Sequence, residues 1–150
     1  MQPKSYISPL IATTHALIYI NNNILLALRQ NTGYADGCFG LVGGRVEPME
    51  SVLDGMLREI QEEIGIQVQP QHAKLVGIIP RKETNCLYLN FIYHIHLWSG
   101  DIVNKEPLKT AFLKLFPIDA LPSNIVSHAK KAIENHQENI FYTVLSSEIK

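Results

Sequence analysis

The chain has 150 residues, 46% of them hydrophobic and 18% charged, with a formal net charge of −1 at pH 7. That length suits one domain with a real hydrophobic core, and the composition is that of a folded protein, which excludes a disordered chain. A near-neutral balance without a basic run argues against a long nucleic acid as partner, while leaving room for a small anion at a locally cationic or metal-loaded site. Cys38 and Cys86 lie far apart in the sequence. Two such cysteines make neither a disulfide framework nor a zinc knuckle, and they read as free, buried thiols of a reducing compartment. The leading segment, Met1 to Ile20, carries His15, lacks a small-residue cleavage site and is too short to span a bilayer. The expected location is the cytoplasm, with no membrane partner.

The pattern from Thr13 to Ile20 is β-rich, Asn21 to Asn23 supply a turn, and Ile24 to Leu28 follows at hairpin distance, ending in Arg29. Asn31 to Gly37 is a cluster of turn formers and is expected to be a loop. Cys38 to Val42 reads as a short strand stopped by Gly43 and Gly44. The clearest helix follows, from about Ser51 to Ile64. Ser51 and Asp54 resemble a capping box, and Gly65 stands where a C-cap glycine is expected. Leu53, Met56, Leu57, Ile60 and Ile64 recur at helical spacing as one apolar stripe.

Beyond the helix, Leu75 to Ile79 and Cys86 to Trp98 read as strands. In the longer one, Leu87, Leu89, Phe91, Tyr93, Ile95 and Leu97 share a face opposite Tyr88, Asn90, His94 and His96. Ala111 to Leu115 is a further short strand, Asn124 to Asn135 a second helix, and Ile140 to Leu145 closes with β character. No repeat or linker divides the chain, so residues 1–150 read as a single domain of the α/β (α+β) class, a sandwich of helices and strands.

At about 100° per residue, Glu59, Glu62 and Glu63 fall on one arc beside the apolar stripe of the first helix. Carboxylates so placed repel one another, no lysine at a spacing of three or four relieves them, and the one close cation is Arg58. A hard divalent cation would resolve the repulsion, and a backbone carbonyl of the Gly43-Gly44 turn is a further oxygen ligand. Metal ions that screen phosphate charge, beside a carboxylate that positions water, are what phosphoryl transfer needs. An amphipathic helix with a solvated acidic face is the bland alternative for the triplet taken alone.

The triplet is not alone. From Gly44 the chain reads one glycine, five residues, Glu50, seven residues, then Arg58-Glu59-Ile60-Gln61-Glu62-Glu63-Ile64-Gly65-Ile66. This resembles the box of the Nudix hydrolases, G-x5-E-x7-R-E-U-x-E-E-x-G-U with U aliphatic, at all nine constrained positions. The resemblance extends over roughly Thr13 to Leu145. Asn31 to Gly37 is similar to an N-T-G-Y-x-D-G segment of a bacterial subgroup, Asn104, Glu106 and Pro107 to an N-x-E-P element, and Phe116 to Pro122 to a W-F-P-L-D-x-L-P segment.

The resemblance implies an α/β/α sandwich around a mixed central sheet, with the box as a loop–helix–loop at the cleft. It also implies hydrolysis of a diphosphate linkage in a nucleoside di- or triphosphate derivative by a metal-activated water. Mg²⁺, or Mn²⁺ in its place, would be held by Glu59, Glu62 and Glu63 with the Gly44 carbonyl. Arg58 would orient a catalytic glutamate, and Glu50 would hold Arg58. The general base, Glu62 or a residue outside the box, is left open, as are the nucleotide derivative and the oligomeric state.

Val42 and Met49 stand where relatives commonly have proline and glycine, and Phe112 where an acidic residue is common; Glu106 is the nearest substitute for that carboxylate. These departures keep open a second reading, a Nudix-fold module that senses a nucleotide without hydrolysing it. Arg29 and Arg81, expected to be exposed, are candidate contacts for substrate phosphates, with solvated surface arginines as the alternative. Tyr34 and Asp36 stand in a loop expected to border the cleft, to touch a base or ribose or to form a plain turn. His94 and His96 lack an evident third metal ligand and read as pocket wall or surface, and Trp98 reads as packing.

Overall fold

A computed structural model describes residues 9–146; the part of the leading segment before Pro9 lies outside them. β1 (Leu10–Leu17) is followed by β2 (Tyr19–Ile20) and β3 (Asn23–Arg29), the last two joined through Asn21 and Asn22, both in the left-handed region at φ 51° and 62°. Two consecutive positive φ values are what a tight hairpin turn of the primed type demands, and asparagine tolerates them. β4 (Phe39–Gly40) and β5 (Val42–Arg45) precede α1 (Val52–Ile64). β6 (Ala73–Lys82), β7 (Leu87–Ile95), β8 (Thr110–Pro117) and α2 (Ser127–Glu138) complete the order. No helix among the described residues is long and apolar enough to cross a membrane.

The strands form two sheets. One is mixed, in the order β5-β1-β7-β6, with β1 parallel to β7 and antiparallel to β5. The other is antiparallel, with β3 between β2 and β4 on one path and β8 also paired to β3. The segment expected as one strand from Cys38 to Val42 breaks at Leu41, so that β4 serves the second sheet and β5 the first. Gly43 and Gly44 do not stop β5 but pair with His15 and Thr14. At Gly43 a side chain would collide with the Thr14 carbonyl oxygen, so only glycine allows that approach.

Apolar side chains fill both sides of this framework. Ala16, Ile18, Val42, Tyr93 and Ile95 pack against Met56, Ile60 and Ile64 of α1. Leu17, Leu26, Ile79 and Ile92 pack against Ala129, Ala132 and Ile133 of α2. The face of β7 read as polar is therefore interior: Asn90 is 1% exposed and Ile92 beside it belongs to the core. The second helix begins at Ser127 rather than Asn124, because Ile125 bridges Phe39 and the Val126 amide bonds to the Phe39 carbonyl. The closing segment makes only isolated bridges, Tyr142 to Ile78 and Leu145 to Arg81. Cys38 and Cys86 are free thiols, half-buried rather than buried.

On the α2 side of β1 and β7 the interior turns polar. The Asn90 amide donates to the Ile79 carbonyl at 2.9 Å, which leaves its oxygen as an acceptor. Thr13 Oγ1 donates to that oxygen at 2.7 Å and His15 Nε2 at 3.0 Å, so the His15 proton sits on Nε2. Burial lowers the His15 imidazole to about 4, partly opposed by the Asn90 bond. Burial also holds His128 of α2 well below the ordinary histidine range, with His15 packed against it at 5.0 Å between ring centroids.

Met49 is fully exposed and in the left-handed region at φ 65°, which costs a residue with a Cβ about 1–2 kcal/mol. Glycine relieves that cost and gives back part of it as chain entropy, so Met49→Gly is expected to stabilise the fold by about 0.5–1 kcal/mol in urea unfolding. Equal or lower stability would contradict the strain. His15 and His128 are neutral in the fold but protonate near pH 6.5 when unfolded, so their stabilisation is intact above that pH. It is lost as pH falls toward about 4, where His15 protonates in the fold. Glu63, raised to about 8, gains stability over the same interval, so the histidine effect is read as a difference. Between pH 7.5 and pH 5 the urea midpoint of the unmodified protein is expected to fall relative to that of His128→Gln, and equal changes would contradict the assignment.

Candidate active site

The loop–helix unit from Gly43 to Ile66 is built around one arginine. Ser51 caps α1 by accepting from the Asp54 amide at 3.0 Å, half of the capping box, and Gly65 ends the helix in the left-handed region at φ 76°. Arg58 then faces back along the loop. Its Nε donates to Glu50 Oε2 at 2.8 Å and its Nη2 to Glu50 Oε1 at 3.0 Å, a two-point grip, and Nη2 also reaches the Arg45 carbonyl at 3.1 Å. Its Nη1 donates to Glu59 at 2.9 Å and to Glu62 at 3.2 Å. The Glu50 carboxyl, which also accepts from the Glu47 amide at 3.0 Å, is held down at about 2, chiefly by its bonds from Arg58.

The three glutamates of the helix face occupy different surroundings. Glu62 is half exposed, at 51%, whereas Glu59 is 14% exposed and packs its carboxylate against Gly44. An added Cβ at Gly44 would stand 2.5–2.7 Å from the carboxyl atoms of Glu59, so the glycine lets the acid approach the backbone. Glu63 accepts from the Gly43 amide at 2.9 Å. Enclosure and the charge of Glu59, with a smaller effect from Glu106, raise the Glu63 carboxyl to about 8, and burial raises Glu59 as well. Glu59 and Glu63 resist ionisation chiefly because they are withdrawn from water, and a cation beside them would favour their charged forms.

Glu106 joins this cluster from outside the box. Asn104 donates to the Thr110 carbonyl at 2.8 Å and accepts from the Glu106 amide at 3.1 Å, and the Glu106 carbonyl caps the turn into β8. Glu59, Glu62, Glu63 and Glu106 line a cavity of about 530 Å³ together with Arg29 and Lys109. Phe112 packs edge-on against Phe39 at 5.9 Å between ring centroids.

A second cavity, of about 630 Å³, adjoins the first and shares Arg29, Gly43 and Gly44 with it. Its floor is the polar patch of His15, Asn90 and His128, and Tyr34, Arg81 and Tyr88 stand around it. Arg81, expected at the surface, is buried: it pairs with Glu83, donates to the Tyr34 hydroxyl at 3.1 Å and lies over the Tyr88 ring at 4.6 Å. Arg29 borders both cavities, held by the Tyr34 carbonyl and Thr32. Asp36 does not face a cavity; it accepts from Thr32 and Gly33 and ties the loop to itself. His94 stands at the far end of α2, 4.9 Å from the ring of His136, away from both cavities. His128 was not legible beforehand, because a lone histidine on a helix carries no spacing signal.

The sequence matches the model of the NUDIX domain over residues 10–136. It is 30% identical over 129 residues to an ADP-ribose pyrophosphatase of Methanocaldococcus jannaschii, covering 85% of this chain and 73% of that protein. It is 28% identical over 107 residues to the NAD-capped RNA hydrolase NudC of Stutzerimonas stutzeri, spanning 71% of this chain but only 37% of that protein. Among solved structures it resembles the MutT NUDIX hydrolase of Burkholderia pseudomallei, with a TM-score of 0.77 and 29% identity over 84% of this chain and 97% of that one. A family match across most of the length, on a fold that carries the whole box at one cleft, means that the chain belongs to the Nudix hydrolase family.

Proposed function

We propose that this chain is a pyrophosphohydrolase that cleaves a diphosphate linkage in a nucleoside di- or triphosphate derivative, with Arg58, Glu59, Glu62 and Glu63 as its catalytic centre. The observation that carries the reading is the surplus of carboxylates around a single arginine, on a cleft continuous with a second cavity large enough for the rest of a nucleotide. The pyrophosphatase relative supports the reaction class.

The donor set fits a hard divalent ion such as Mg²⁺ or Mn²⁺: carboxylate oxygens of Glu59, Glu62 and Glu63, the Gly44 carbonyl and no soft ligand. When bound, such an ion screens the phosphate charge and favours attack by water at phosphorus. The residues of the chain do the rest. Arg58, fixed by Glu50, holds Glu59 and Glu62 in register, so that the helix face is organised before substrate arrives. A carboxylate of the cleft takes the proton of the attacking water; Glu62, the most open of the three on the helix, and Glu106, from outside the box, are the candidates. Arg29 and Lys109, at the rim of the same cavity, supply charge toward phosphate oxygens. The cytoplasm remains the expected site of action.

Glu62→Gln and Glu63→Gln are expected to lower turnover of ADP-ribose, nucleoside triphosphates or nucleotide sugars with Mg²⁺ by about a hundredfold or more, with an unchanged circular dichroism spectrum. Wild-type rates in either variant would overturn the site. Binding of nucleotide without product across the whole set, in the unmodified protein, would favour the sensing module instead.

A further inference from the structure

Away from the acidic cleft and its neighbouring cavity, the fold assembles a row of imidazoles. Taken along the chain, His94 and His96 lack a third nitrogen; the folded protein brings His136 of α2 to His94 and His72 to His96. Ring centroids lie 4.9 Å apart for His94 and His136, 6.0 Å for His94 and His96, and 5.3 Å for His72 and His96. Two imidazoles on one tetrahedral ion, with metal–nitrogen bonds of about 2.0–2.1 Å, have centroids about 5 Å apart. The pair of His94 and His136 matches that spacing. Both rings are half-buried, and among the described residues the His94 ring nitrogens have no hydrogen-bond partner.

The surroundings of this pair suit a cation. Tyr19 Oη lies 2.9 Å from His136 Nδ1. With the hydroxyl accepting from Nδ1–H, Nε2 keeps its lone pair, as in a metal-bound histidine oriented by a second partner. His136 stands in the last turn of α2, where the unpaired carbonyls of the helix end favour positive charge. Burial holds both imidazoles below the ordinary histidine range, so they are neutral lone-pair donors at pH 7. The exposed Lys74 is the opposing charge beside both rings. The donor chemistry is unlike that of the cleft: among the described residues no carboxylate forms an ion pair with any of the four rings. Imidazole donors suit Zn²⁺, Ni²⁺ or Cu²⁺ rather than Mg²⁺.

We propose that His94 and His136 form a metal site separate from the cleft, a two-imidazole clip for a borderline transition-metal ion such as Zn²⁺ that fastens the end of α2 to the end of β7. No three metal-ligating side chains converge among the described residues, so water completes the shell. The clip shares no residue with the cleft and stands whether or not the hydrolytic reading does. An ion that binds the folded chain alone stabilises it.

The test titrates the full chain with Zn²⁺ at pH 7.5, in excess Mg²⁺ so that the cleft does not compete, while ¹⁵N-histidine NMR reads each ring. The first equivalent of Zn²⁺ is expected to shift the ring signals of His94 and His136 and to leave those of His15 and His128 in place. It is also expected to raise the urea midpoint. Mg²⁺ alone is expected to leave all four ring signals unmoved. In calorimetry, His136→Gln is expected to bind Zn²⁺ at least tenfold more weakly than the unmodified protein. Signals of His94 and His136 that stay in place until Zn²⁺ is in large excess, or a response that begins at His72 and His96, would overturn the proposal. So would equal affinity in His136→Gln. The titration of the unmodified protein decides the matter even if the variant fails to fold.

Discussion

Five side chains of like chemistry and one of opposite charge set the terms of this protein. Arg58 touches Glu50 at two points and Glu59 and Glu62 at one each, with Glu47 a further 3.7 Å away, while Glu63 is left to the Gly43 amide. One guanidinium cannot neutralise five carboxylates, and Glu63, which it does not reach, is pushed up to about 8, chiefly by burial and then by the charge of Glu59. In a surface helix such crowding would simply destabilise. Here the loop, its glycines and β5 hold the crowd together, and on that arrangement rests the proposed seat of a divalent ion.

The framework makes that possible by placing backbone where side chains would not fit. β5 pairs with β1 through Gly43 and Gly44, and the same two glycines bring one backbone amide to Glu63 and open space for Glu59. α1 is anchored from beneath by Met56, Ile60 and Ile64, so its acidic face is presented by a rigid element rather than by a loop. On the opposite side of β1, the polar strip of Thr13, His15 and Asn90 floors the adjoining cavity. One strand therefore serves both: its pairing to β5 supports the acidic cleft, and its interior face lines the pocket next to it.

Much of this was legible in the residues. The stripe and caps of α1 located the helix to within one residue, because serine before and glycine after answer the unpaired ends of a helix directly. The spacing from Gly44 to Ile66 identified the acidic face. What stayed hidden was tertiary. Alternation in β7 cannot reveal that both faces are covered, since that depends on two helices packing from opposite sides. Leu41 gives no sign of dividing two sheets. Arg81 reads as a surface cation until Glu83, Tyr34 and Tyr88 are seen to enclose it. Glu106, by contrast, is singled out in the sequence as a substitute carboxylate, and a turn set by Asn104 holds it at the cleft.

The central claim is that the carboxylates of α1 and the glycine turn form the seat of a divalent ion. Titrating ¹⁵N-labelled protein with sub-stoichiometric Mn²⁺ tests it directly, because the paramagnetic ion broadens amide signals according to their distance from it. The account predicts selective loss of the signals of Gly43, Gly44 and Glu59 to Glu63, reversed by excess Mg²⁺ and weakened in Glu59→Gln. Broadening centred elsewhere, or none at Mn²⁺ concentrations that saturate carboxylate sites, would contradict it.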